Sequence, residues 1–149
     1  LTQVKQWQDE HVIDADFSLA INLSVIQLNQ IDFAPNFIQL MHTLGVKAKH
    51  IEVEITESML IQNIDHVITK LTQLKEAGIT IAVDDFGTGY SSLSYISKLP
   101  LDVLKIARSF VNDIHDNQAA YSLVDAIISL ANIFHLTIVA EGVETIGHH

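Results

Sequence analysis

The chain has 149 residues, enough for one domain, and 48% of them are hydrophobic with a mean hydropathy of +0.28, which is rich for a soluble protein. A formal charge of −10 excludes a protein that grips a nucleic acid polymer through its phosphates, because no basic stripe exists to displace counterions. The absence of cysteine excludes disulfides and thiolate zinc sites, and is compatible with a cytoplasmic location.

No apolar run reaches the length of a membrane span and no signal peptide opens the chain, so this segment is expected to make no membrane contact. His148 and His149 read as the start of an expression tag, outside the fold. No linker, repeat or low-complexity stretch divides the chain.

Residues 1–8 read as the tail of a helix, with Leu1, Val4 and Trp7 at helical spacing. Residues 17–22, FSLAIN, form a short apolar strand closing on Asn22, and Ser24 is placed to cap a brief helix. Residues 32–44 predict a helix, with Pro35 near its start and Gly45 just past its end. A second strand, HIEVE at 50–54, ends in Glu54, with Thr56 and Glu57 directly behind it. Residues 63–77 alternate with it as a helix, apolar at Ile64, Val67, Ile68, Leu71 and Leu74, and stopped by Gly78.

The sequence ITIAVDDFGTGYSSL at 79–93 is the stretch around which the others are placed. Ile79, Ile81 and Val83 are β-branched and carry no charge until Asp84, the pattern of a parallel strand buried on both faces. The Asp84–Asp85 pair is expected where that strand ends. Gly87 and Gly89 then allow a tight loop, and Ser91 and Ser92 suit the cap of the next helix. Beyond Leu99 and Pro100 the pattern repeats. DVLKI at 102–106 is a strand with Lys105 near its end, 109–114 is a helical turn or two, and Asp116 is placed to cap a long helix at 117–134. TIVA at 137–140 is the fifth strand, ending at Glu141. Five apolar strands separated by helices predict right-handed βαβ crossovers and a parallel sheet.

Each strand end carries a polar group: Asn22, Glu54, the Asp84–Asp85 pair, Lys105 and Glu141. In a parallel sheet or barrel these ends share one face, where chemistry collects. Four carboxylates and an amide meeting there repel one another unless cations sit among them. Oxygen donors suit Mg²⁺ or Mn²⁺, and adjacent aspartates let one side chain bridge two ions. A pair of such ions about 3.5 to 4 Å apart is an arrangement that hydrolyses phosphodiesters by in-line attack. Lys105 either holds or helps deprotonate a bridging water, or neutralises the phosphoryl oxygens. Taken singly, each residue also has a bland reading: a glutamate at a strand end also serves as a helix cap or surface charge, and an Asp–Asp pair before glycine is ordinary loop chemistry. The histidines before the tag are scattered without paired ligand spacing and read as surface or packing residues.

The segments INLS at 21–24, EVEITES at 52–58, DDFGTGYSSL at 84–93, LPLDVLKI at 99–106 and VAEGVET at 139–145 resemble, in the same order, the EAL domain, the cyclic di-GMP phosphodiesterase family. The resemblance covers essentially the whole chain. It implies a TIM-like (β/α) barrel that hydrolyses cyclic di-GMP to linear pGpG with two Mg²⁺ or Mn²⁺ ions. Asn22, Glu54, Asp84, Asp85 and Glu141 are then metal ligands, Lys105 acts on the nucleophilic water, and Glu57 ties down the DFGTGYSSL loop, which in this family shapes the metal site and a dimer contact.

Three departures accompany the resemblance. The glutamate of the EAL signature on the family's first strand is absent, as is the segment after the seventh strand. Ala107 stands where the family's lysine-isoleucine-aspartate motif has its aspartate, and a methyl group neither ligates a metal nor orients a lysine. The chain is therefore expected to supply the third to seventh strands of a barrel that takes about 250 residues when whole. Its two open edges would be closed by self-association or a partner fragment, or left open at a cost in stability. The alternative function is a degenerate domain acting as a cyclic di-GMP receptor or protein-interaction module. The longer parent could be membrane-anchored while this domain is cytoplasmic.

Overall fold

The computed structural model describes residues 1–14, 16–61, 64–88, 96–114 and 117–143. Its centre is a parallel sheet of β1 (Leu19–Asn22), β2 (Ile51–Thr56), β3 (Thr80–Phe86), β4 (Val103–Ile106) and β5 (Thr137–Ala140). The strands lie side by side in chain order. Helix α1 (Thr2–Asp9) precedes β1, and α2 (Val25–Asn29) and α3 (Phe33–Leu44) follow it. Helix α4 (Ile64–Glu76) separates β2 from β3, and α5 (Arg108–Asp113) and α6 (Gln118–Ile133) separate β4 from β5.

Sequential order decides between the two parallel architectures. Right-handed crossovers that always step the same way place every helix on one face of the sheet, which curls it toward a barrel, whereas a doubly wound sheet reverses direction and covers both faces. The register shows the two faces directly. Leu19, Ile21, Ile51, Val53, Ile55, Ile81, Val83, Leu104, Ile106 and Ile138 fall on one side and form the apolar core with Val67, Leu71 and Leu74 of α4 and Val124, Ile127 and Ala131 of α6. Asn22, Glu52, Glu54, Thr56, Thr80, Asp84, Val103, Lys105 and Thr137 alternate onto the other side. The fold is thus an arc of a TIM-like (β/α) barrel, with helices outside and a polar inner face. Among the described residues, β1 and β5 each keep one unpaired edge.

Local chemistry accounts for the element ends. Ser24 and Gln27 form a reciprocal capping box at the start of α2. Gly45 closes α3 in the left-handed conformation, at φ +69°. The Asp102 carboxylate accepts the Ile81 N–H at 3.0 Å and pairs with Lys75, so the beginnings of β3 and β4 are fastened to the end of α4.

Several sequence expectations are corrected. The first strand begins at Leu19 rather than Phe17. Strand β2 does not end at Glu54 but continues through Ile55 and Thr56, since Ile55 pairs with Val83 beneath the core. The Asp84–Asp85 pair does lie at the end of β3, which runs one residue further, to Phe86. Helix α6 is capped by Asn117, whose Oδ1 accepts the N–H groups of Ala119 and Ala120. Burial on both faces holds for Ile81, Ala82 and Val83 of β3, but β1 exposes alternate residues and β5 exposes Thr137, Val139 and Ala140. Asn63, Gly89, Ser91, Ser92, Asp116 and the Glu144–Thr145 end of the last motif lie outside the described residues.

Candidate functional site

The polar groups at the carboxyl ends of the strands meet around Lys105. Its Nζ donates to Glu54 Oε1 at 2.7 Å and to Glu141 Oε1 at 2.6 Å, and stands 3.9 Å from Asp84 Oδ1. One ammonium therefore ties together carboxylates delivered by β2, β3 and the turn after β5. The cause is topological: Glu54, Asp84 and Lys105 occupy the same face of three adjacent strands, and the Glu141 N–H is fixed to the Ile106 carbonyl beside Lys105. Glu54 is only 4% exposed, so its charge is cut off from water and leans on the ammonium. Burial works to lower the pKa of Lys105, but hydrogen bonds to Glu141 and Glu54, with the charges of Asp84 and Glu54, outweigh it and raise the pKa above the ordinary lysine value. Among the described residues no three acidic or histidine side chains converge closely enough to enclose an ion in this arrangement, because the ammonium itself lies between the carboxylates.

Asp84 and Asp85 reach the site through a bulge. Val83 pairs with Leu104 and Phe86 with Ile106, so two residues of β3 stand against the single Lys105. Asp85 takes up the extra length in the left-handed region, at φ +54°. Its N–H donates to Asp84 Oδ1 at 2.9 Å, and its carbonyl accepts the Thr88 hydroxyl at 2.8 Å. This aims the Asp84 carboxylate at Lys105 and leaves the Asp85 side chain exposed at the rim. Asn22, at the end of β1, is in register with Glu54 and also exposed.

Glu57 is buried in the short 3₁₀ turn after β2, and its Oε2 accepts the Gly87 N–H at 2.9 Å. Gly87 has φ +97°, and a Cβ there would stand 2.9 Å from Phe110 Cε2, so the turn after the bulge accepts only glycine without displacement. Ala107 is 2% exposed and is the N-cap residue of α5, where it offers no side-chain acceptor.

Sequence reasoning missed Glu52, two residues before Glu54 on the same inner face; period-two alternation was the available signal. Burial, then the charge of Glu54, raises the Glu52 pKa above the ordinary glutamate value. A carboxyl whose pKa is raised by folding favours the folded state while protonated and disfavours it once ionised, so this contribution is lost as pH rises through its folded pKa. Glu52→Gln is therefore expected to raise the melting temperature at pH 7, by less than about 1 kcal/mol in stability because the group is partly hydrated. The gain should vanish when thermal melts are repeated in acid.

The sequence matches the family described as EAL domain over residues 1–147. Cyclic di-GMP phosphodiesterase NbdA of Pseudomonas aeruginosa is 42% identical over 127 residues, covering 85% of this chain and 16% of that protein. The solved structure of PaMucR phosphodiesterase in complex with c-di-GMP superposes with a TM-score of 0.90 at 36% identity, over 99% of this chain and 59% of that one. The manganese and cyclic di-GMP complex of BlrP1 from Klebsiella pneumoniae gives a TM-score of 0.83 at 28% identity, over 98% of this chain and 37% of that one. This chain thus spans about a sixth of the length of the curated relative. By sequence and by fold, the chain belongs to the EAL domain family.

Proposed function

We propose that this chain carries the central part of a metal-dependent phosphodiesterase site that hydrolyses cyclic di-GMP to linear pGpG. The observation that supports it most is the convergence of Glu54 of β2, Asp84 of β3 and Glu141 of the turn after β5 on Lys105 at the carboxyl end of a barrel arc. Relatives named as cyclic di-GMP phosphodiesterases, and a related structure holding manganese with cyclic di-GMP, supply the substrate class.

The donor set fits hard divalent ions: it is oxygen only, and several carboxylates share one ammonium. Asn22, Glu54, Asp84, Asp85 and Glu141 would hold two Mg²⁺ or Mn²⁺ ions. When bound, these ions supply positive charge to the phosphoryl oxygens and make a water acidic enough to attack. Lys105, on the floor between Glu54 and Glu141, stays an ammonium because its pKa is raised, so it would orient that water as a hydrogen-bond donor and offset charge on the phosphoryl group. Glu57 keeps the turn after Asp85 in place through the Gly87 N–H. In the whole domain the arc of β1 to β5 corresponds to the third to seventh barrel strands, and its open edges are covered by self-association or by further strands.

Ala107 favours a second reading, a receptor that binds cyclic di-GMP without cleaving it. Incubation with cyclic di-GMP and Mn²⁺, followed by chromatography for pGpG with calorimetric binding in parallel, separates the two. Product that disappears on EDTA treatment and in Glu141→Ala supports the enzyme. Saturable binding without product supports the receptor, and neither result sinks both. Ala107→Asp is expected to cap α5, worth about 1 kcal/mol in a urea titration, and to raise turnover. Unchanged turnover with the cap gained would remove Ala107 from the catalytic account.

A further inference from the structure

Lys70 is a lysine buried to 4% exposure with no carboxylate within ion-pair distance among the described residues. It lies on the core-facing stripe of α4, three residues after Val67 and four before Leu74. Its Nζ donates instead to two backbone carbonyls, those of Leu28 and of Gln30, the latter at 2.7 Å. These belong to the last turn of α2 and its C-cap, where helix carbonyls lack partners and a cation is favourable.

A buried cation spent on carbonyls has a positional consequence. Helix α2 has five residues, too few to hold its shape alone, and it follows Asn22 after only Leu23 and Ser24. Its fixed points are the Ser24–Gln27 box at its start, the Leu23 N–H on the Glu54 carbonyl, buried Leu28, and Lys70 at its end. Without the last of these, the Leu28 carbonyl would lose its lysine donor and the Gln30 carbonyl would keep only the Phe33 N–H at 3.3 Å, and the segment leading back to Asn22 would be freer to shift.

We propose that Lys70 is a positioning residue for the Asn22 limb of the site: by clamping the end of α2 to α4, it sets where the Asn22 side chain stands relative to Glu54. The proposal rests on the reading of Asn22 as a ligand of a divalent ion. Residues that orient a metal ligand typically contribute a factor of about 10 to 100 in metal affinity. Lys70→Met keeps the length and the apolar stem and removes the donors, whereas Lys70→Arg keeps them.

The test is calorimetric titration of Mn²⁺ into the chain, with amide hydrogen exchange of residues 23–30 in parallel. Lys70→Met should weaken Mn²⁺ binding about tenfold and speed exchange in 23–30 while α6 is unchanged. Lys70→Arg should restore both. In an Asn22→Ala background, Lys70→Met should cause no further loss of affinity, which a general loosening of the fold would not reproduce. Equal Mn²⁺ affinity in the wild-type chain and Lys70→Met overturns the proposal, as does an undiminished tenfold loss without Asn22. Absence of Mn²⁺ binding by the wild-type chain instead overturns the metal reading on which it rests, and is recognised before any variant is made. If Lys70→Met does not fold, judged by circular dichroism, Lys70→Gln serves in its place, with the same outcomes.

Discussion

Lys105→Met is expected to cut the cyclic di-GMP cleavage proposed for this site by about two to four orders of magnitude and to make the stability of the chain depend on divalent metal. Glu54 is 4% exposed, and its side chain has Lys105 as its only hydrogen-bond partner among the described residues. Removing the ammonium leaves a carboxylate cut off from water, with Asp84 and Glu141 as like-charged neighbours. Breaking a buried pair in this way costs about 3 to 5 kcal/mol. A divalent ion held by the same oxygens would replace the lost charge. Mn²⁺ at about a hundred times its dissociation constant adds about 2.7 kcal/mol to any fold that binds it. Thermal melts with and without Mn²⁺ should therefore show a large metal-dependent gain in Lys105→Met, larger than in the wild-type chain. Turnover should fall by about two to four orders of magnitude even when metal restores the fold.

The sign of the pH dependence follows from the same contacts. Folding raises the Lys105 pKa above its ordinary value, so the stability it contributes is complete below the unfolded lysine pKa and is lost as pH rises through the folded one. The stability difference between wild type and Lys105→Met should thus persist through neutral and mildly alkaline pH and shrink only at more alkaline values. Equal melting temperatures in the absence of metal would mean that the ammonium does not neutralise these carboxylates.

How far the sequence was legible depends on the range of the interaction that fixes each feature. Helix ends set by nearby residues, such as Ser24 before α2 and Gly45 after α3, could be read from the chain because the chemistry is local. So could the five strands, since β-branched runs such as 79–83 suit a covered strand and little else. The exact ends of β2 could not, because Ile55 and Thr56 are held in the strand by pairing with Val83 and Asp84, far away in sequence. The bulge at Asp84 and Asp85 was equally hidden, since it exists only relative to the register of β4. For the site, strand-end carboxylates and Lys105 were visible as residue types, and the resemblance to a family gave them roles. That one ammonium bridges Glu54 and Glu141 is a consequence of strand order and could not be read from spacing. Lys70 was overlooked because a lysine on an apolar stripe suggests a snorkelling stem, and its acceptors are backbone atoms with no sequence signature.

Asp85→Gly is expected to separate folding from catalysis more cleanly than any other change at the bulge. The left-handed backbone of Asp85 is uncomfortable for most residues and indifferent for glycine. Both hydrogen bonds that fix it, to Asp84 Oδ1 and from the Thr88 hydroxyl, use its backbone and survive the substitution. Relief of strain is offset by the extra freedom of glycine in the unfolded chain, so stability should change by no more than about 0.5 kcal/mol. Asp85→Ala keeps the strain without the local tolerance of aspartate and should cost about 1 kcal/mol. If the exposed Asp85 carboxylate is a metal ligand, both variants lose about a thousandfold or more in turnover, the scale of several kcal/mol of charge stabilisation. Urea unfolding would then rank the variants glycine above alanine, while the pGpG assay would place both near zero. A folded Asp85→Gly that still produces pGpG at the wild-type rate would show that Asp85 serves only to turn the backbone, leaving Asp84 as the working carboxylate of the pair.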